Sequence, residues 1–287
     1  MSAKRIKGEI IVMIKILVDS ASDCRKEDGI YDLFVPITAN IDGVEYADGI
    51  DLDADKFYEL QKNAKEFPRT SQHSPQQFVE IFEKIKADGD ELIYLCLSSQ
   101  LSGTYQGALI AKDMVDYDGI YVVDTLGATH LIGILARYAR DLINQSVSAE
   151  EIAQKCENLK SKIKVFAGVD TLEYLYKGGR LSRASATVGE IAGIKPIITV
   201  SEGKVESIGK CLGKIRAMNY ILDKVKSHKI NPAFPIYSLY TSGTENCEAL
   251  ESKLRENGYD IADRLQVGST IGTHVGPGVY AVLFVEE

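Results

Sequence analysis

Tryptophan is absent from this chain and phenylalanine occurs only 8 times, so stacking on bases or sugars would have to come from its 15 tyrosines. A positive excess is also missing. The 33 Lys and Arg residues face 41 Asp and Glu, and the net charge of −8 has the wrong sign for gripping phosphate backbones or anionic membrane surfaces. Nucleic acid is therefore not an expected partner. The five cysteines, Cys24, Cys96, Cys156, Cys211 and Cys247, are far apart, odd in number and contain no CxxC, whereas metal sites and disulfide frameworks need close or paired spacing. Free thiols in a reducing cytoplasm are the simplest account, with no metal expected. The longest uncharged run, Val267 to Val285, is broken by Gly268, Gly272, Gly276, Pro277 and Gly278 and does not read as a membrane span. The first residues imitate a signal peptide, since Lys4, Arg5 and Lys7 precede an apolar stretch. Glu9 and Lys15 interrupt that stretch, however, and Asp23 precedes Cys24 where a lipoprotein signal needs a small uncharged residue, so export is rejected. Met13 reads as the biological start and residues 1–12 as an extension.

What the chain does have is the composition of a globular protein, 45% apolar and 26% charged over 287 residues. Over its first half, short apolar runs alternate with helical periods, the signature of parallel βαβ units. Strands are predicted at Ile14–Val18, Phe34–Ile41, Leu92–Leu97 and Ile120–Val123. Ser74-Pro75 predicts a helix start, with Phe78, Ile81, Phe82 and Ile85 on one face. Further helices are expected after Ser102, over Ala128–Asn144, and after Ser148, which forms a capping box with Glu151. Beyond residue 165 the pattern loosens into strands at Val165–Val169, Lys195–Val200, Lys204–Ile208 and Pro235–Tyr240, with helices at Leu212–Ser227 and Thr244–Asn257. Glu202-Gly203 reads as a hairpin turn. The expectation is an α/β protein: a parallel-sheet, Rossmann-like domain over residues 13–165 and an α+β domain over 166–287.

Three predicted strands end in polar groups: Asp19-Ser20-Ala21-Ser22, Ser98-Ser99-Gln100-Leu101-Ser102-Gly103-Thr104, and Asp124-Thr125. The carboxyl ends of parallel strands carry the ligand crevice of such sheets. A dinucleotide is not the expected occupant, because no GxGxxG exists. Gly203 to Cys211 fails as a P-loop, with one residue too many and Cys where Ser or Thr would bind magnesium. No nucleotide cofactor is expected. Hydroxyls at helix starts suit an oxyanion instead. Thr70-Ser71-Gln72 precedes one helix and Ser102 another. A serine there is ordinarily an N-cap, so Ser102 carries two readings. His274 lies in Gly272-Thr273-His274-Val275-Gly276-Pro277-Gly278, read as a loop, and Arg180 follows Lys177-Gly178-Gly179. A hydrolase is the alternative, with Ser102 as nucleophile and His274 as base. The nearest match to a nucleophile elbow, Gly268-Ser269-Thr270-Ile271-Gly272, has Thr at its centre and is followed by Gly and Pro rather than an expected helix.

As an ordered set these motifs resemble the DegV family of bacterial fatty-acid-binding proteins. They are Val18-Asp19-Ser20, Arg69-Thr70-Ser71-Gln72, Leu97 to Tyr105, Lys177-Gly178-Gly179-Arg180-Leu181-Ser182, Ile194-Lys195-Pro196-Ile197 and Gly272 to Gly278, over essentially the whole chain from Met13. The resemblance implies a two-domain, DegV-like protein holding one long-chain fatty acid such as palmitate between its domains, as a carrier and not an enzyme, with no other cofactor. Thr70 and Ser102 would bind the carboxylate, with Ser71, Ser99, Arg180 and His274 in the head-group vicinity. It also implies a separate ATP-dependent fatty acid kinase subunit as partner, to which some relatives present the bound acid. This chain departs from the family pattern with His73 after Thr-Ser-Gln, and with Lys210-Cys211 where kinase-partnered relatives commonly carry Arg.

The energetics suit this division of labour. Burying ~14 methylenes at about 0.8 kcal/mol each supplies roughly 11 kcal/mol before costs. Each hydroxyl bond to a carboxylate adds about 1.5–3 kcal/mol and rejects uncharged lipids. Small residues from Ala184 to Ile194 would line a chain, or equally pack as a core helix.

Overall fold

A computed structural model describes residues 4–7, 10–181 and 193–287. The small-residue stretch from Ala184, apart from Gly193 and Ile194, lies outside the described residues, as does Ser182. By contacts the chain divides into two units. One comprises Met1–Ile37 and Ser71–Ser161, the other Thr38–Thr70 and Lys162–Glu287. A single cut near residue 165 would leave 38–70 with the first unit, whereas its contacts group it with the second. The reason lies at Pro36. The run Phe34–Ile41 is not one strand but two, Leu33–Val35 and Thr38–Ile41, in different sheets. Proline offers no N–H to continue a ladder, so the first strand stops before it.

In the first unit, four parallel strands form an α/β sheet in the order Leu33–Val35, Ile10–Asp19, Glu91–Cys96, Ile120–Asp124. Lys4–Lys7 is added antiparallel to the start of Ile10–Asp19. The chain leaves Ile10–Asp19 first to one side and then to the other, so strand order reverses between it and Glu91–Cys96, the place where open sheets bind ligands. Asp19, fully buried there, accepts from Ala21 N–H, Tyr94 O–H at 2.9 Å and Leu97 N–H, stitching the two strand ends together. Helices Pro75–Asp88 and Thr104–Val115 bury Phe78, Phe82, Ile85, Ala108 and Ala111 in one cluster with Leu17 and Tyr94. Ser74 and Pro75 start the first of these helices as expected, with Gln77 Oε1 accepting the Ser74 N–H. Ser148 Oγ likewise accepts the Glu151 N–H ahead of Ala149–Lys160.

In the second unit, a six-stranded sheet runs Lys204–Leu212, Ile194–Ser201, Ile163–Gly168, Tyr280–Val285, Ile236–Tyr240, Ile261–Gln266. Only its last pair is parallel. Glu202-Gly203 turns the expected hairpin with φ of 46° and 77°. The next helix starts at Lys214, later than predicted, because the strand continues to Leu212 and Gly213 turns the chain at φ 83°. Tyr280–Val285 is buried at every residue; its unbroken apolar run is that of a central strand covered on both faces. A smaller sheet orders Val44–Ala47, Thr38–Ile41 and Arg69–Ser71, and its core of Ala39, Ile41, Leu52, Phe57 and Tyr58 packs the helix Ala54–Asn63. The strand Arg69–Ser71 crosses the division between the units, after Thr70.

Candidate functional site

Within the second unit, the segment read as a loop around His274 is a helix, Ser269–Val275, directly after the strand Ile261–Gln266. The strand–turn–helix context expected to be missing from Gly268 to Gly272 is therefore present, and periodicity hid it because the helix is short and glycine-bearing. It is not a nucleophile elbow. Thr270 lies in the first turn, and its N–H and O–H both donate to the buried Asp48 carboxylate, at 3.1 and 2.5 Å. An acid there also suits the helix's positive end. Gly272 lets the helix press onto its neighbour, since a Cβ would stand 2.4 Å from Tyr58 Oη, and Tyr58 donates to Val267 O at 2.8 Å.

So held, the last turn of the helix carries His274 with Nε2 2.9 Å from Thr70 Oγ1, a contact between residues 204 apart in sequence. Burial, followed by the nearby Arg180 charge, pushes the His274 pKa down to about 4, so the ring is neutral at pH 7. Its Nδ1 is buried without a hydrogen-bond partner among the described residues. Arg180 is half-buried and donates to the Gly178 carbonyl; desolvation lowers its pKa, though a guanidinium keeps its charge. Thr70, His274 and Arg180 thus form one group.

Within the first unit, the loop after Glu91–Cys96 holds the serines. Ser99 N–H donates to Asp124 Oδ1 at 3.1 Å, and Leu101 and Ser102 N–H donate to Ser98 O. The helix Thr104–Val115 has Gly103, not Ser102, as its N-cap. Ser102 Oγ still accepts the Thr104 N–H at 3.2 Å and lies 2.8 Å from Thr104 Oγ1. Both readings of Ser102 therefore survive: the hydroxyl serves the helix start and, half-buried, keeps bonding capacity. A Cβ on Gly103 would stand 2.2 Å from Gln72 Oε1, so the Gln72 carboxamide lies over Gly103 and joins the end of the Thr-Ser-Gln motif to the Leu-Ser-Gly motif. Ser71, next to it, is exposed. Gln72 and Asp124 were not singled out from sequence; only their places within or beside hydroxyl-rich motifs pointed to them.

A family model described as "Uncharacterised protein, DegV family" matches residues 13–287. This chain belongs to the DegV family. It is 39% identical to a DegV domain-containing protein of Caldanaerobacter subterraneus subsp. tengcongensis over 280 residues, 96% of this chain and 99% of that protein. Among solved structures it resembles a DegV family protein from Thermus thermophilus described for fatty acid binding, at 28% identity and TM-score 0.84 over 96% of this chain and 99% of the other. It also resembles DegV of Bacillus subtilis, described as a fatty acid binding protein, at 27% identity and TM-score 0.78 over 96% and 99%.

In this DegV chain the hydrolase alternative gains no support from the residues it needs. The His274 Nε2 is engaged by Thr70, and among the described residues its Nδ1 has no carboxylate to orient it. Among the described residues no group of three or more His, Cys, Asp and Glu is placed to hold a metal, and no helix is long and apolar enough to cross a membrane. A cleft of about 450 Å³ in the first unit is lined mainly by Asp28, Arg137, Arg140, Asp141 and Asn144. Arg137 and Arg140 are paired there with Asp28 and Asp32, a polar lining unsuited to an acyl chain.

Proposed function

We propose that this DegV protein binds a long-chain fatty acid such as palmitate and does no chemistry on it. The Thr70 and Ser102 hydroxyls hold the carboxylate, and Ser71, Ser99, Arg180 and His274 complete its surroundings. The observation that carries the reading is the Thr70–His274 contact, in which a neutral, largely buried imidazole orients a hydroxyl beside the Arg180 charge. Such a group accepts a carboxylate through neutral donors and one cation without burying an isolated charge. The Thermus and Bacillus relatives add support, since fatty acid binding is what is described for both. As a carrier the protein would work in the cytoplasm and hand the acid to a separate ATP-dependent kinase subunit.

Mass spectrometry of an organic extract of the purified protein tests the reading, together with palmitate titration of the delipidated protein. Fatty acid equimolar with protein, or uptake of added palmitate, is expected. A folded protein that neither carries nor takes up a fatty acid overturns it. Ester or thioester hydrolysis that disappears in Ser102→Ala would replace the carrier with an enzyme.

A further inference from the structure

Gly178 and Gly179 stand side by side but are glycines for different reasons. Gly179 has φ +73°, a left-handed backbone that side chains rarely adopt, and nothing lies within 4 Å of where its Cβ would be. Gly178 has φ −73° and ψ −10°, an ordinary right-handed conformation open to any residue. What requires glycine at 178 is space: a Cβ would stand 2.3 Å from His274 Nδ1 and 3.0 Å from the Tyr174 carbonyl oxygen. The bare α-carbon therefore closes off the Nδ1 side of the imidazole, and that nitrogen is buried without a hydrogen-bond partner among the described residues. On the other side, Nε2 lies 2.9 Å from Thr70 Oγ1.

We propose that Gly178 is a positioning residue that keeps the ring proton of His274 on Nε2, and so leaves the Thr70 hydroxyl hydrogen free to donate to an anion. A neutral imidazole has one N–H and one lone pair. With the proton on Nδ1, a buried N–H would face an α-carbon with no acceptor, and Nε2 would consume the Thr70 O–H. With the proton on Nε2, that N–H donates to Thr70 Oγ1, and the unsatisfied group is a lone pair, the lesser cost in a protein interior. The Thr70 hydrogen then has to find its acceptor elsewhere. The anion is the fatty-acid carboxylate of the proposed function, on which this inference rests. A side chain at 178 would displace the ring from Thr70 and remove the preference.

Ring-nitrogen NMR of delipidated, 15N-histidine-labelled protein at neutral pH tests this, with His274 assigned through Gln variants of His73, His130 and His228. The expected signature is a protonated Nε2 and a bare Nδ1. In Gly178→Ala the signature becomes a tautomer mixture and palmitate affinity falls about tenfold or more. A wild-type ring protonated on Nδ1, or on both nitrogens, overturns the proposal, and so does a Gly178→Ala protein with unchanged ring signature and affinity. If Gly178→Ala fails to fold, the wild-type ring decides alone. A wild-type ring of the expected form in a protein that binds no palmitate supports the positioning role and overturns the fatty-acid reading, so the two failures are distinguishable.

Discussion

His73 in the first unit and His274 in the second each lie beside a hydroxyl motif, and the two histidines share more than expected. His73, directly after Thr70-Ser71-Gln72, is 3% exposed in the first unit and has Nε2 unpartnered among the described residues. His274, in the second, has Nδ1 unpartnered. Burial is the leading cause of a pKa near 4 in both. What separates them is what the ring touches. His73 packs edge-on against Phe78, with centroids 5.5 Å apart, whereas His274 reaches a threonine hydroxyl and feels an arginine. A depressed pKa therefore does not mark a site in this molecule, since burial in a core produces it unaided. What sets His274 apart is its contact with a threonine hydroxyl beside an arginine.

The largest expected effect is shared by both histidines and bears on stability. Between about pH 4 and pH 6.5 each is protonated in the unfolded chain but neutral in the folded one, so the unfolded state holds the extra protons. Stability is then complete above about 6.5 and declines as pH falls toward 4, each histidine contributing about 3 kcal/mol at most. Urea unfolding across this range should show midpoints rising with pH, and His274→Gln should reduce the slope without abolishing it. A slope insensitive to that change would mean that His274 is not buried neutral.

Next in size comes lipid binding, where the histidines part company. His274→Ala and Thr70→Val should each weaken palmitate binding by about tenfold or more, since each leaves a carboxylate contact unmade or misdirected. Because the two side chains act as a pair, the double variant should lose little beyond either single one. Losses that simply add would show that His274 acts on the ligand independently of Thr70. Ser102→Ala should also weaken binding and cost about 1 kcal/mol of stability through the Thr104 N–H it leaves unaccepted.

The contrast between the two regions also explains what the sequence made legible. The first unit is built largely from local signals: strand–helix alternation, Ser74-Pro75 and Ser148 at helix starts, and a serine loop in which Ser102 bonds to Ser98 and Thr104, although Ser99 reaches Asp124 on the next strand. Its sheet and its hydroxyl cluster were both readable. The second unit depends on distant pairings. The helix Ser269–Val275 is fixed by Asp48, Tyr58 and a glycine contact rather than by an amphipathic face, so it read as a loop. The buried strand Tyr280–Val285 was visible only as an apolar run too short and too interrupted upstream to span a membrane. Thr70, His274 and Arg180 were each named from their own local setting, but no local pattern could supply the contact that joins them. Gly178 looked equivalent to Gly179 until their backbone angles separated them.

The smallest expected effect is the most discriminating. His73→Leu removes a buried ring nitrogen that has no partner, but also a ring that bonds to Gln77 and the Val35 backbone. An apolar side chain of similar size offsets one against the other, so chemical unfolding should show a stability change within about 1 kcal/mol at neutral pH. Below pH 6.5 the variant should be the more stable protein, because it no longer has a buried histidine that must stay unprotonated. Palmitate affinity should stay essentially that of wild type, since His73 touches no hydroxyl of the proposed head-group site. A tenfold loss of affinity in a His73→Leu protein of normal stability would erase the distinction between the two histidines. His73 would then have to be read as part of the ligand site and not as a packing choice at the start of the Pro75–Asp88 helix.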